Sequence, residues 1–142
     1  MAVGSIGDHA TGLIATHTRA LVRWHAPVLE DSDPEPLHQM RVSMRRLRTT
    51  LRQFAPALVL PKGVSDQRLA KSVRRLGMAR DLDVLRQRLE QELLPQLNEA
   101  DAKTLKPVLK QLRRERLMAV DHLEAVLQSS QHLALVSQLQ RW

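Results

Sequence analysis

The chain has 142 residues, with 22 Lys+Arg against 15 Asp+Glu (net +7), six His and no Cys. That length supports one domain with a substantial core, and the lack of cysteine excludes a disulfide framework, a zinc ribbon and a thiol nucleophile. The cationic excess points to an anionic partner, while one Phe, two Trp and no Tyr leave little for stacking on single-stranded nucleic acid.

Leu occurs 25 times and Ile twice, which favours helix over strand. From Ile6 to Leu29 the apolar positions Ile6, Ala10, Leu13, Ile14, Leu21, Trp24, Val28 and Leu29 fall at helical spacing. The stretch from Asp31 to Pro36 ends that helix and starts another, with Asp33 or Glu35 just before a proline suited to a first helical turn. In the second helix Leu37, Met40, Met44, Leu47, Leu51 and Phe54 form a narrow core stripe, ended by Pro56 and Pro61-Lys-Gly63. A third helix is predicted from near Ser65 to about Leu94. Gly77 falls at a shift of its apolar register, where it permits close packing or a slight kink. After Pro95 and the polar stretch from Asn98 to Asp101, a fourth helix carries Leu105, Val108, Leu109, Leu112, Val120, Leu123 and Leu127. Pro107 there must lie in the first turn or kink the helix. A short helix from His132 to Trp142 closes the chain. The expected fold is all-α: one domain over residues 1–142, an antiparallel bundle of four long helices plus a short C-terminal one.

No apolar run approaches the ~20 residues that span a bilayer, and the opening MAVGSIGD has neither a basic n-region nor an apolar h-region. These features lead us to expect a cytoplasmic protein without membrane partners.

The charge is regional. Residues 38–88 hold 13 Lys/Arg and three acids (+10), leaving nine Lys/Arg and 12 acids (−3) elsewhere. His38, Arg41, Arg45, Arg48 and Arg52 follow steps of three and four, so they fall within roughly 80° of one another beside the apolar stripe. Like charges so spaced destabilise a helix by a few tenths of a kcal/mol per pair. Acids on a neighbouring helix, or a bound anion, should compensate. Arginine suits forked contacts with phosphate, and basic rows recur as Arg68, Lys71 and Arg75 on the third helix and Lys106, Lys110 and Arg113 on the fourth. Three such rows would line one face or cleft. His38, in the first turn of its helix, lies where the helix dipole helps to hold an anion. Beside a bound phosphate it would donate from both ring nitrogens, so binding should weaken as pH rises above neutrality.

The run His38-Gln-Met-Arg41-Val-Ser-Met-Arg45-Arg46-Leu-Arg48, followed by Leu51 and Phe54, resembles the signature of the CHAD family (conserved histidine α-helical domain). The later run Leu76-Gly77-Met-Ala-Arg80-Asp81-Leu-Asp83-Val84-Leu85 is similar to that family's second motif. The resemblance implies a helical bundle that binds inorganic polyphosphate in a basic pocket, without cofactor, in some members at polyphosphate granules. It places His38, Arg41, Arg45, Arg48 and Arg52 in the pocket, and gives Arg80 a phosphate-contacting or pocket-shaping role. Asp81 and Asp83 would orient neighbours; plain salt bridges to Arg41, Arg45 or Arg75 are the simpler reading, ahead of metal binding. The family's domain has two related halves, each with its own His- and Arg-bearing helix, and this chain matches the first. The resemblance therefore implies either a piece of a longer domain or two chains that pair to complete the pocket.

Other functions fit less well. There is no HExxH, P-loop or nucleophile elbow, and no metal or general base for hydrolysis can be assigned, so no enzyme is expected. His9, His17 and His25 recur every eight residues, drifting ~80° each time, and do not converge on a metal. A histidine-phosphotransfer role would need an open mid-helix His, whereas His38 sits near a helix start among arginines. Nucleic-acid binding is the serious alternative, because a basic helix can clamp a duplex. An arginine row without Asn, Gln, Ser or Thr is, however, poor in base-reading chemistry.

Overall fold

Each α-helix among the described residues starts where the sequence supplies a side-chain acceptor for its first amides, each such cap being worth about 1 kcal/mol. The structure is a computed structural model that describes residues 5–142; residues 1–4, part of the stretch read above for a leader, lie outside the described residues. Ser5 caps α1 (Ile6–Glu30), accepting from the Asp8 amide at 3.0 Å. Asp33 caps α2 (Pro34–Phe54), accepting from Glu35 at 2.9 Å with Pro34 at the first helical position. Ser65 caps α3 (Asp66–Arg88), Asn98 caps α4 (Glu99–Leu127) and Ser129 caps α5 (Ser130–Arg141). No strand occurs among the described residues.

Two helix boundaries differ from the sequence expectation. The third helix does not run as regular helix to Leu94: it ends at Arg88, widens into a π turn over Leu89–Leu93 and tightens into a 3-10 turn over Leu94–Gln96. Pro95 is the physical reason, since in a continued α-helix its ring would press on the Gln91 carbonyl. The last helix starts at Ser130 rather than His132. Pro107 lies well inside α4, and Pro27, which the apolar pattern did not flag, lies inside α1; each deprives the carbonyl four residues earlier of its amide donor.

The core joins all five helices. Ile14 and Leu21 of α1, Met40, Met44, Leu47 and Leu51 of α2, Leu69 and Leu76 of α3, Leu123 and Leu127 of α4, and Leu135 and Leu139 of α5 bury one continuous cluster. Neighbours in sequence are neighbours in space from α1 to α4, and α5 returns to pack against α1 and α4. Leu105, Leu109 and Leu112 are buried outside that cluster, on the part of α4 that runs beside the end of α3. The first half of α4 thus belongs to an α3–α4 arm reaching past the α1–α2 turn.

Candidate functional site

The apolar stripe of α2 faces the core, which forces the basic row beside it onto the seam with α3. The two helices run antiparallel: Arg48 meets Asp66 while Arg41 lies across Gly77, its Nε 3.7 Å from where a Cβ would stand. That register sets His38 level with Arg80, one turn along α3 from Gly77. At the other end Asp66 accepts from Arg48 Nε at 2.5 Å and pairs with Arg52 Nε at 3.1 Å. The hydrogen bond from Arg48, helped by Arg52, holds the Asp66 carboxyl below the usual carboxylate range despite partial desolvation.

The row is therefore not uniform. Arg48 and Arg52 share an acid; Arg41 and Arg45 have no ion pair among the described residues. Arg45 is exposed and Arg41 half-buried in the seam. His38 is also half-buried, with its Nδ1 enclosed and without a hydrogen-bond partner. The start of α2 gives less to an anion than the helix dipole suggested. Pro34 and Pro36 carry no N–H, the Glu35 amide is taken by Asp33, and Asp33 and Glu35 are themselves acidic.

The other two basic rows do not join this one. Arg68 and Lys71 border a cavity between α3 and the α4–α5 turn, and Arg75 Nη1 lies 3.5 Å from His122 Nδ1 on α4. Arg113 approaches Glu90 in the π turn at 3.9 Å. Lys106 and Lys110 lie further out on the α3–α4 arm, exposed, on the order of 35 Å along the α3 axis from Arg48. Instead of three rows lining one cleft, there is a seam on α2–α3, a separate cavity, and a basic arm.

The two acids of the second motif also part. Asp81 is exposed. Asp83 is only 3% exposed and accepts from Arg116 Nε, not from Arg41, Arg45 or Arg75. The same guanidinium forks onto Asp31, with Nη1 and Nη2 donating at 2.9 and 2.7 Å, and these carboxylates, Asp31 foremost, hold it firmly protonated. Asp31 ends α1 in the left-handed region (φ 53°), so Arg116 ties the α1–α2 turn, α3 and α4 together. Its role was invisible in sequence because both partners lie in distant helices. Among the described residues no group of three or more His, Cys, Asp or Glu is placed to hold a metal ion. The α1 histidines diverge: His9 packs edge-on to Phe54 and His25 stacks on His132.

A family model described as the CHAD domain matches residues 12–142, most of the chain and all of the α2–α3 seam. The chain belongs to the CHAD domain family. No curated protein and no solved structure matches it. In this CHAD domain the two motif helices are α2 and α3, and what brings the motifs together is their antiparallel packing at Arg41 and Gly77. No helix among its described residues is long and apolar enough to cross a membrane.

Proposed function

We propose that this CHAD domain binds inorganic polyphosphate along the α2–α3 seam, with His38, Arg41, Arg45 and Arg80 contacting phosphates and Arg48 and Arg52 extending the track. One observation carries the reading. The repulsion along the arginine row is relieved by Asp66 at Arg48 and Arg52, whereas among the described residues no acid pairs with Arg41 or Arg45. A polyanion laid along the open half of the row completes the neutralisation, and guanidinium forks match phosphate oxygens. The role is binding without a chemical step, since imidazole and guanidinium groups here neutralise charge and donate hydrogen bonds. Such a domain would accompany its ligand wherever polyphosphate collects, granules included.

The test is a pair of titrations, with long-chain polyphosphate and with duplex DNA of matched charge, at two or more salt concentrations. Both affinities fall as salt rises, because any polyanion releases counterions on a basic surface. The expected result is polyphosphate binding that persists at physiological salt where DNA binding has faded. Equal or stronger DNA binding would replace this reading with a nucleic-acid-directed bundle.

Exposed apolar side chains on α3 and α4, with Leu117 and Met118 each 62% exposed and Met78 and Leu85 nearly half so, favour pairing with a second copy. Sedimentation of the chain with and without polyphosphate checks this, and a monomer in both conditions contradicts it.

A further inference from the structure

A cavity of about 470 Å³ opens between the first half of α3 and the turn joining α4 to α5, away from the seam. Arg68 and Lys71 stand on its α3 side, and neither has an ion pair among the described residues. Ser130 and Gln131, the first two residues of α5, line the opposite side. The first intrahelical amide of α5, that of Leu133, bonds to the Ser129 carbonyl, and the His132 amide is taken by the Ser129 side chain. The amides of Ser130 and Gln131 are left without a helical acceptor, at the positive end of the helix.

A second observation is independent of the helix end. His132, only 6% exposed, also lines this cavity, and its Nδ1 meets the buried Ser72 hydroxyl at 3.4 Å. Its Nε2 has no hydrogen-bond partner among the described residues and is not one of the sealed polar atoms. In the tautomer in which Nδ1 accepts from Ser72, Nε2 carries the proton and is a donor without an acceptor among the described residues. The Arg68 and Lys71 cations, the Ser130 hydroxyl, the Ser130 and Gln131 amides and this imidazole thus offer donors or positive charge around one space, the Ser72 and Ser129 hydroxyls being engaged with His132 and the Val126 carbonyl. That surplus suits a ligand with three or four acceptor oxygens better than a carboxylate with two.

We propose that this cavity binds a single phosphoryl group, as inorganic phosphate or as the head of a phosphate monoester whose body rests on Ala125, Val126 and Leu135. The site is separate from the polyphosphate seam and does not depend on that reading. Arg68 and Lys71 supply charge, the Ser130 and Gln131 amides fix orientation, and His132 donates from the cavity floor.

The experiment titrates the isotopically labelled full chain with inorganic phosphate and with phenyl phosphate, following amide resonances. Saturable shifts are expected at Ser130 and Gln131. Arg68→Gln and Lys71→Gln should each weaken them about tenfold, the size of one lost charge-assisted contact. Ser130→Pro removes one donor at a first helical position, where proline is well tolerated, and should weaken binding several-fold with α5 intact. Tighter phenyl phosphate binding would identify a monoester as the source; equal or weaker binding would identify free phosphate. Shifts that never saturate, that centre on α2 instead, or that persist unchanged in all three variants would overturn the proposal. Polyphosphate affinity measured on the same variants reports on the seam and stands or falls separately.

Discussion

Arg116 joins three parts of the chain through one guanidinium, and most of that contact is out of water. Its side chain is 15% exposed and Asp83 3%. Removing one partner of such a pair strands the other, at a cost of about 3–5 kcal/mol, a large share of the roughly 5–15 kcal/mol that holds a domain folded. Arg116→Gln should lose that amount in urea unfolding, and Arg116→Lys should recover only part, because a single ammonium cannot serve both carboxylates. A loss under about 1 kcal/mol would show the node to be dispensable. His132 sets a different dependence. Burial, with the nearby charge of His25, pushes its pKa down to about 4. The unfolded chain therefore takes up the proton first, and stability falls as pH drops from about 6.5 to about 4, by up to about 3 kcal/mol. His17, lowered by burial and Arg46, acts in the same direction. Asp66, whose pKa is held down, loses its contribution only at lower pH, below the ordinary carboxylate value. Comparing wild type with His132→Gln between pH 7 and 4.5 isolates the His132 share, and parallel curves would remove it.

At the scale of elements, Gly77 is the informative position. A methyl there would meet Arg41 Nε at 3.7 Å, an ordinary contact, and alanine is a better helix former by roughly 1 kcal/mol. Gly77→Ala should raise the melting temperature by about 3–5 °C with the seam intact, whereas Gly77→Leu should push Arg41 off α3 and weaken polyphosphate binding. Unchanged binding in Gly77→Leu would separate the Arg41–Gly77 crossing from function. The helices themselves were legible in sequence, because 3.6-residue periodicity and the residues Asp33 and Ser65 are local signals. So was the α2 row, whose spacing needs only one helix to interpret. What α3 and α4 would present to α2 was not legible. The direction of Arg68, Lys71 and Arg75 depends on which side of α3 the core takes, and α3 carries its apolar residues in two registers around Gly77. The pairing of Asp83 with Arg116 likewise follows from tertiary packing, which no local pattern encodes, whereas the π turn at Leu89–Leu93 has a local cause in Pro95.

For the whole molecule, the proposed function rests on where charge is placed more than on total charge. The three basic rows divide among the seam, the cavity beside α5 and the α3–α4 arm, and polyphosphate is proposed for the seam alone. The measurement that tests this most directly removes the same charge from two places. An Arg41→Ala/Arg45→Ala chain and a Lys106→Ala/Lys110→Ala chain each lose two cations, so any general polyanion attraction declines alike in both. Titrated with polyphosphate at physiological salt, the α2 variant should lose at least about tenfold in affinity, the size of one or two charge-assisted contacts, and the arm variant a few-fold at most. Equal losses in the two variants would contradict a polyphosphate site on the α2–α3 seam.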